Sequence, residues 1–332
     1  MPFGEILDTV RVVSLPLVTR FRGLTRRELA VFEGPRGWTE FSPFVEYPDA
    51  EAAVWLRGAI EFGWSAGPSV LHRRVTVNAT VPAVPAGEVR AVLDRFPGCR
   101  TAKVKVADVG PTLAEDVARV QEVRTLLGPA GRVRLDANGG WSVDEAERAI
   151  HALARFDLEY VEQPCGSVAE LAELRRRIRH LGIPIAADES VRKATDPLDV
   201  VRRGAADLIV VKAAPLGGVT AALRIIQKAQ VPVVVSSALE SSVGLGMGLL
   251  LAAALSGQEY DHGLGTAALL AADVTDHPRS IQDGQLAVDR VAPDSALLDR
   301  FAVDTDREQW WSDRMRRCLD LLASAPGGYS PE

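Results

Sequence analysis

Five charged residues each come directly after a short apolar run, and they recur at nearly constant spacing. They are Lys105, Asp136, Glu162, Asp188 and Lys212. Their successive separations are 31, 26, 26 and 24 residues (136−105, 162−136, 188−162 and 212−188). One strand-plus-helix unit of a parallel sheet takes ~30 residues. The pattern therefore places five side chains at the same end of five consecutive strands.

The three acids of this set are predicted metal ligands. A buried carboxylate is costly unless it is paired or binds a metal, and three neighbouring carboxylates would also repel one another. Oxygen ligands favour a hard cation, so we expect Mg²⁺, for which Mn²⁺ can substitute. The predicted metal site is Asp136, Glu162 and Asp188.

The lysines flank the acids and could move a proton. Lys103 and Lys105 share one face of a strand, because side chains alternate along it, and Lys212 would lie across the sheet. Ammonium groups close together in a partly dry site have lowered pKa values, which makes a neutral amine available as a base. A metal on a carboxylate substrate would stabilise the enediolate that forms when the α-proton leaves. We predict Lys105 and Lys212 as the catalytic residues.

The elements that must position these residues alternate between strand and helix from about residue 75 onward. Such alternation is typical of a parallel sheet covered by helices, and eight units close as a barrel. Ser142, followed three residues later by Glu145, predicts the capped start of a helix. The eight predicted strands are residues 75–81, 102–106, 133–136, 160–162, 185–187, 208–211, 231–235 and 262–265.

The first part of the chain has a different pattern, with candidate antiparallel strands followed by a helix. We expect strands at residues 10–15, 28–33 and 37–42 and a helix at residues 50–62. The predicted fold is α/β, a TIM-like (β/α)₈ barrel with an α+β capping domain. The predicted divisions are a cap at residues 1–74, a barrel at 75–273 and a C-terminal segment at 274–332 that packs on the cap.

Composition is ordinary for a soluble globular protein. The chain has 332 residues and a net charge of −6, with basic and acidic residues interspersed, which is not typical of a nucleic-acid-binding surface. No apolar run reaches the length that spans a bilayer. Three widely spaced cysteines suit a cytoplasmic location. We expect a small-molecule carboxylate substrate, no nucleic acid and no membrane, and leave a homo-oligomer open.

The ordered motifs KVK (103–105), DANGGW (136–141), EQP (162–164), DES (188–190) and Lys212 resemble the enolase superfamily, in its muconate-lactonizing-enzyme subgroup. The resemblance covers nearly the whole chain. It implies that the three acids bind Mg²⁺ and that Lys105 and Lys212 face the substrate from opposite sides.

Within that subgroup the chain is most similar to the o-succinylbenzoate synthase family of menaquinone biosynthesis. The segments that carry this similarity are GWTEFSP (37–43), SSALESSVG (236–244) and HGLGT (262–266). The implied reaction is loss of water from 2-succinyl-6-hydroxy-2,4-cyclohexadiene-1-carboxylate to give 2-succinylbenzoate. Lys105 would take the α-proton and then protonate the departing hydroxyl, Lys212 would stay charged, and Lys103 would pair with the substrate carboxylate and tune Lys105.

Other residues are predicted to bind substrate or to support the metal ligands. Arg20 or Arg22, in a cap loop over the site, could reach the succinyl carboxylate, although a basic surface loop fits equally well. Glu189 is expected to act on the metal site through a neighbouring side chain. The remaining predicted substrate-binding residues are Asn138, Ser236, Ser237 and Gly265.

Two other functions fit the same residues less well. An N-acylamino acid racemase or dipeptide epimerase would use the two lysines to exchange protons on opposite faces, but the predicted eighth strand has Asp261 and no second acid. A non-catalytic barrel subunit would have lost a metal acid or a lysine, and none is lost.

Overall fold

The computed structural model describes residues 3–193, 196–257 and 259–324, in which an antiparallel cap precedes a parallel sheet covered by helices. The strands are β1 (Arg11–Phe21), β2 (Leu24–Gly34), β3 (Gly37–Phe41), β4 (Arg74–Thr76), β5 (Ala79–Val81), β6 (Thr101–Lys105), β7 (Arg132–Asp136), β8 (Leu158–Glu162), β9 (Ile185–Ala187), β10 (Leu208–Val211), β11 (Val233–Val235) and β12 (Gln285–Ala287). The helices are α1 (Phe3–Thr9), α2 (Asp49–Trp64), α3 (Val89–Leu93), α4 (Leu113–Leu127), α5 (Val143–Leu153), α6 (Val168–Arg177), α7 (Glu189–Arg192), α8 (Asp199–Arg202), α9 (Val219–Ala229), α10 (Leu245–Ala253), α11 (Ser295–Arg300) and α12 (Thr305–Ser324).

The cap is a meander of three antiparallel strands, β1 to β3, covered by α2 and by the C-terminal helix α12. Helix α12 is attached by polar contacts as well as by apolar packing. The Trp311 Nε1 donates to the Glu28 Oε2 at 2.8 Å, and the Arg314 guanidinium donates to the Phe44 carbonyl at 3.3 Å. The sequence divisions at residues 74 and 273 stay predictions.

The second part is a parallel sheet of seven strands in chain order, β5 to β11. Its register aligns Lys105 with Asp136 and Asp136 with Glu162, so the predicted residues stand at one height. The predicted fold class, a barrel of β/α units with an α+β cap, is confirmed.

Two of the predicted barrel strands differ from the structure. The stretch 75–81 is divided, because β4 pairs antiparallel with β12 and only β5 joins the parallel sheet. The stretch 262–265 forms only two single bridges, His262 with Val77 and Gly263 with Ser236. The chain turns into a 3₁₀ helix at Gly265–Leu269, which leaves too few extended residues for a strand. The two bridges nevertheless link both edges of the sheet.

The inside of the sheet has an apolar floor beneath the polar strand ends. Tyr160, Ala186, Val210 and Val234 lie two residues before Glu162, Asp188, Lys212 and Ser236, respectively. Because side chains two apart share a face, both sets point inward. The four floor residues pack together with Leu208 in one buried cluster. The polar strand ends therefore rest on a rigid base.

Three outer helices begin with complete capping boxes. In α5 the Ser142 Oγ accepts from the Glu145 amide at 3.4 Å, and the Glu145 carboxylate accepts from the Ser142 amide at 2.9 Å. The caps at Thr112 and Ser167 are built in the same way. These caps satisfy amide groups that the first helical turn would otherwise leave unpaired.

Removing the side chain that caps the N-terminus of α5, Ser142, should lower the stability of the barrel modestly. We expect Ser142→Ala to lower the free energy of unfolding by about 1 kcal/mol, measured by urea denaturation, because an orphan amide loses its acceptor. Ser142→Asp keeps an acceptor and is the control. Equal losses in both variants would contradict the capping role.

Candidate active site

The three predicted metal ligands lie at neighbouring strand ends with no solvent exposure. Asp136 ends β7, Glu162 ends β8 and Asp188 follows β9. Burial raises the pKa of Glu162 to about 7, and the negative charges of Asp136 and Asp188 act in the same direction. The three carboxylates are thus close enough to repel one another.

Lysine ammonium groups neutralise these carboxylates. The Lys103 Nζ donates to both carboxylate oxygens of Glu162, at 2.8 and 3.0 Å, and lies 3.1 Å from the Asp136 Oδ2. The Lys105 Nζ is 2.6 Å from the Asp136 Oδ2, and the Lys212 Nζ is 2.5 Å from the Asp188 Oδ2. Each acid therefore has a cationic partner inside the barrel mouth.

The two lysines of β6 differ in how strongly they hold a proton. Burial lowers the pKa of Lys105, and the charge of Lys103 lowers it further, against the opposing effect of Asp136. Burial also disfavours the charged form of Lys103, but Glu162 and Asp136 outweigh it and raise the pKa of Lys103. Lys105 is therefore the better base of the pair, and Lys103 is a fixed cation bound to protein carboxylates.

The carboxylates fit a hard divalent cation by their chemistry. All three donors are oxygens and are fully buried, and burial together with the charges of Asp136 and Asp188 raises the pKa of Glu162. Within residues 3–193, 196–257 and 259–324, no three His, Cys, Asp or Glu side chains are arranged as a metal-ligand set. Lysines contact the three acids directly. A shared ion at this position stays a prediction.

A cavity lies between Lys105 and Lys212 and opens under the cap. Lys103, Asn138, Ser236 and Ser237, all predicted from the sequence, line it with both lysines. Arg22 also lines it, whereas Arg20 lines an adjoining cavity beside Lys105 and Asn138. Of the two cap arginines, Arg22 is thus the one placed against the space between the lysines.

Gly265 was predicted to bind substrate, and the structure places it elsewhere. It does not line the cavity, and a Cβ there would lie 3.0 Å from the Asn78 carbonyl and 3.3 Å from Phe96 and Ile281. A 3₁₀ turn begins at this residue. Gly263 and Thr266, on either side, line the cavity instead.

Asn138 and Glu189 support the charged residues from the side. The Asn138 Oδ1 accepts from the Lys105 Nζ at 2.6 Å, and its Nδ2 donates to the Glu189 Oε1 at 3.3 Å. Arg192 donates to the same Glu189 oxygen at 2.7 Å and to the Asp188 Oδ1 at 3.1 Å. Glu189 therefore links Lys105 to Asp188 through the side chains of Asn138 and Arg192. Arg192 was not predicted from the sequence as a member of the site.

Sequence reasoning also missed the apolar and hydroxyl parts of the cavity wall. Phe21 and Phe44 come from the cap, and the Lys105 Nζ lies 5.4 Å from the Phe21 ring centroid. Thr80 stands beside Lys103 in the sheet register and is 2% exposed. Its hydroxyl has no hydrogen-bond partner among the described residues. Thr80 lies on the first predicted barrel strand, and its position there was the only sequence signal, because an uncharged residue within a strand does not by itself indicate a site.

Family models and relatives match most of this chain. The model "Enolase C-terminal domain-like" matches residues 87–293, and "Enolase N-terminal domain-like" matches residues 12–63. An o-succinylbenzoate synthase of Mycobacterium ulcerans is 54% identical over 324 residues, covering 97% of both chains. One of Mycobacterium tuberculosis is 54% identical over 327 residues, covering 98% of both. The chain belongs to the o-succinylbenzoate synthase family of the enolase superfamily.

Solved structures show that the fold of this o-succinylbenzoate synthase family member is shared more widely. Muconate lactonizing enzyme from Pseudomonas fluorescens has a TM-score of 0.74 at 21% identity, covering 89% of this chain and 98% of that one. The L-Ala-D/L-Glu epimerase from Bacillus subtilis has a TM-score of 0.71 at 22% identity, covering 86% and 96%. Members of the superfamily use a divalent metal, typically Mg²⁺.

The helices and cysteines bear on the expectations about membrane and cellular location. None of the helices in the described ranges is both long and apolar enough to cross a bilayer. Cys99, Cys165 and Cys318 are all free thiols.

The carboxylate set predicts stabilisation by metal. We expect Mg²⁺ to raise the melting temperature of the EDTA-treated protein. At a free Mg²⁺ concentration of 100 times the Kd, binding should add about 2.7 kcal/mol to the free energy of unfolding. Asp188→Asn should lose this shift, because it removes one charge from the set. Asp276→Asn, at an exposed acid, is the control and should retain it. A wild-type melting temperature independent of both Mg²⁺ and Mn²⁺ would contradict the site.

Proposed function

We propose that this chain is a lyase that removes water from 2-succinyl-6-hydroxy-2,4-cyclohexadiene-1-carboxylate to form 2-succinylbenzoate in menaquinone biosynthesis. The family membership at 54% identity over nearly the full length supports this reaction. The structural observation that carries it is the cavity between Lys105 and Lys212, above three buried carboxylates. We also propose a cytoplasmic location, which the free thiols support.

Lys105 acts as base and then as acid in this proposal. Its lowered pKa favours the neutral amine that takes the proton from the ring carbon bearing the carboxylate. The electron pair of the broken C–H bond moves first into that carboxylate and then into the ring as the C–O bond breaks. Lys105 returns its proton to the departing hydroxyl, which leaves as water. The ring becomes aromatic.

Lys212 holds positive charge on the other side of the cavity. Among the described residues its Nζ has one hydrogen bond, to the Asp188 Oδ2, and a lysine ammonium has three donors. The remaining donors can stabilise the enediolate and contact the face of the ring. A Mg²⁺ held by Asp136, Glu162 and Asp188, or Mn²⁺ in its place, would supply further positive charge against the substrate carboxylate.

Lys103 is proposed to tune Lys105, because its ammonium lies on Glu162 and Asp136 and its charge lowers the pKa of Lys105. Ser236 and Ser237, on the far wall, are proposed to face the succinyl chain. Arg22 lies at the cap side, where its guanidinium could pair with the succinyl carboxylate.

The proposed reaction can be measured directly. We expect the purified protein with Mg²⁺ to convert the cyclohexadiene substrate to 2-succinylbenzoate, followed by ultraviolet absorbance, and EDTA to stop turnover. A parallel panel of N-succinyl amino acids, followed by loss of optical rotation, tests the racemase chemistry. Racemisation without dehydration would overturn the proposal.

The lysine roles predict large and specific losses. Lys105→Ala and Lys212→Ala should each lower kcat/KM at least ~10²-fold, the range for loss of an acid–base group. Both variants should keep their fold by circular dichroism. Lys228→Ala, at an exposed lysine of α9, is the control. Near-normal turnover in either active-site variant would refute the role assigned to that lysine.

A further inference from the structure

The turn after β11 combines backbone strain with a place on the cavity wall. Leu239 has a φ of +66°, in the left-handed region that bulky side chains rarely adopt. It is 1% exposed and lines the cavity together with Ala238. Strained conformations persist only when surrounding contacts hold them, and they concentrate at ligand-binding sites.

The contact that holds this turn comes from the cap. The Arg27 Nε donates to the Leu239 carbonyl at 3.2 Å, and its Nη2 donates to the Ala238 carbonyl at 3.4 Å. The same Nη2 donates to the cap's own Ser42 carbonyl. On the barrel side, the Ala238 amide donates to the Glu240 Oε2 at 2.6 Å. One buried guanidinium therefore ties the turn to the cap.

Burial lowers the pKa of Arg27, and two nearby buried acids oppose that effect in part. Arg27 is 2% exposed, and the negative charges of Glu40 and Glu240, both buried, act on it. Glu40 also accepts from the Ser241 amide at 3.1 Å, so the cap contacts the turn at two successive points. The Arg27 guanidinium lies 4.3 Å from the ring centroid of Phe44, another residue of the cavity wall.

We propose that Arg27 is a positioning residue for substrate binding: it holds Leu239 in its strained conformation, so that the leucine side chain packs against the ring of the bound cyclohexadiene carboxylate. This inference rests on the proposed function. It makes docking of the cap a condition for a correctly shaped ring pocket. It concerns binding and not proton transfer, because Arg27 does not line the cavity and the described structure pairs it with neither Lys105 nor Lys212.

The first test removes the donors of Arg27 while keeping an apolar stem. We expect Arg27→Met to raise the KM for the cyclohexadiene substrate about tenfold, as loss of a hydrophobic pocket contact does. The kcat should change less than threefold, since the lost interaction is made equally in ground and transition states. The Kd of the product 2-succinylbenzoate, measured by calorimetry with Mg²⁺, should weaken to the same extent. Arg26→Met, at the exposed neighbour that bonds to Ser14, is the matched control and should leave KM and Kd unchanged.

A double-mutant cycle separates positioning from a general structural effect. If Arg27 acts through Leu239, then Arg27→Met combined with Leu239→Ala should bind product no more weakly than the worse single variant. The inference would be overturned if the losses of product affinity in the two single variants multiplied in the double variant. It would also be overturned if Arg27→Met lowered kcat and left KM unchanged. If Arg27→Met does not fold, Arg27→Lys replaces it, and failure of both to fold would assign Arg27 to stability alone and overturn the inference too. If the wild-type protein turns over the substrate and Arg27→Met keeps a normal KM, only this inference is refuted. If the wild-type protein is inactive, the proposed function is refuted as well.

Discussion

Electrostatic repulsion among three buried carboxylates must be offset before the mouth of the barrel can form. Asp136, Glu162 and Asp188 have no contact with solvent, and a buried carboxylate without positive charge nearby would be protonated or would unfold the site. Lys103 on β6 and Lys212 after β10 supply that positive charge from opposite sides of the three acids. Since parallel pairing in register is what brings these ends to one height, the fold and the electrostatics require each other.

The cap completes a site that the barrel alone would leave open to water. Phe21 and Phe44 provide apolar walls beside the lysines, and exclusion of water strengthens every charge interaction within. A further link runs from the Tyr47 hydroxyl, 3.3 Å from Arg192, to the carboxylate of Asp188. The cap therefore contacts both ends of the cavity, the charged end through Arg192 and the wall through its aromatic residues.

The sequence was sufficient for features that repeat along the chain. The spacing of charged strand ends predicted the barrel and its charged residues, and Ser142 with Glu145 predicted a helix start, because each depends on neighbours in sequence. An eighth strand was predicted at residues 262–265, but the sequence did not show that the chain turns into a 3₁₀ helix at Gly265, which lies close to the backbone of Asn78, far away along the chain. Arg27 escaped prediction for the same reason, as its partners lie about 210 residues away along the chain.

The charged residues carry out proton transfer, and the cavity wall selects the substrate. Two lysines facing one cavity can remove a proton and return it on either face, so they permit racemisation as readily as elimination. Elimination from a cyclohexadiene gives an aromatic ring and is strongly downhill, so a pocket that selects that ring also selects the reaction. Selection must then lie in wall residues such as Ser237, whose hydroxyl donates to the Gly263 carbonyl, and Leu239, whose carbonyl accepts from Arg27 of the cap. The Arg27 contact thus makes the shape of this wall depend on how the cap meets the barrel, while the two lysines that move the proton belong to the barrel.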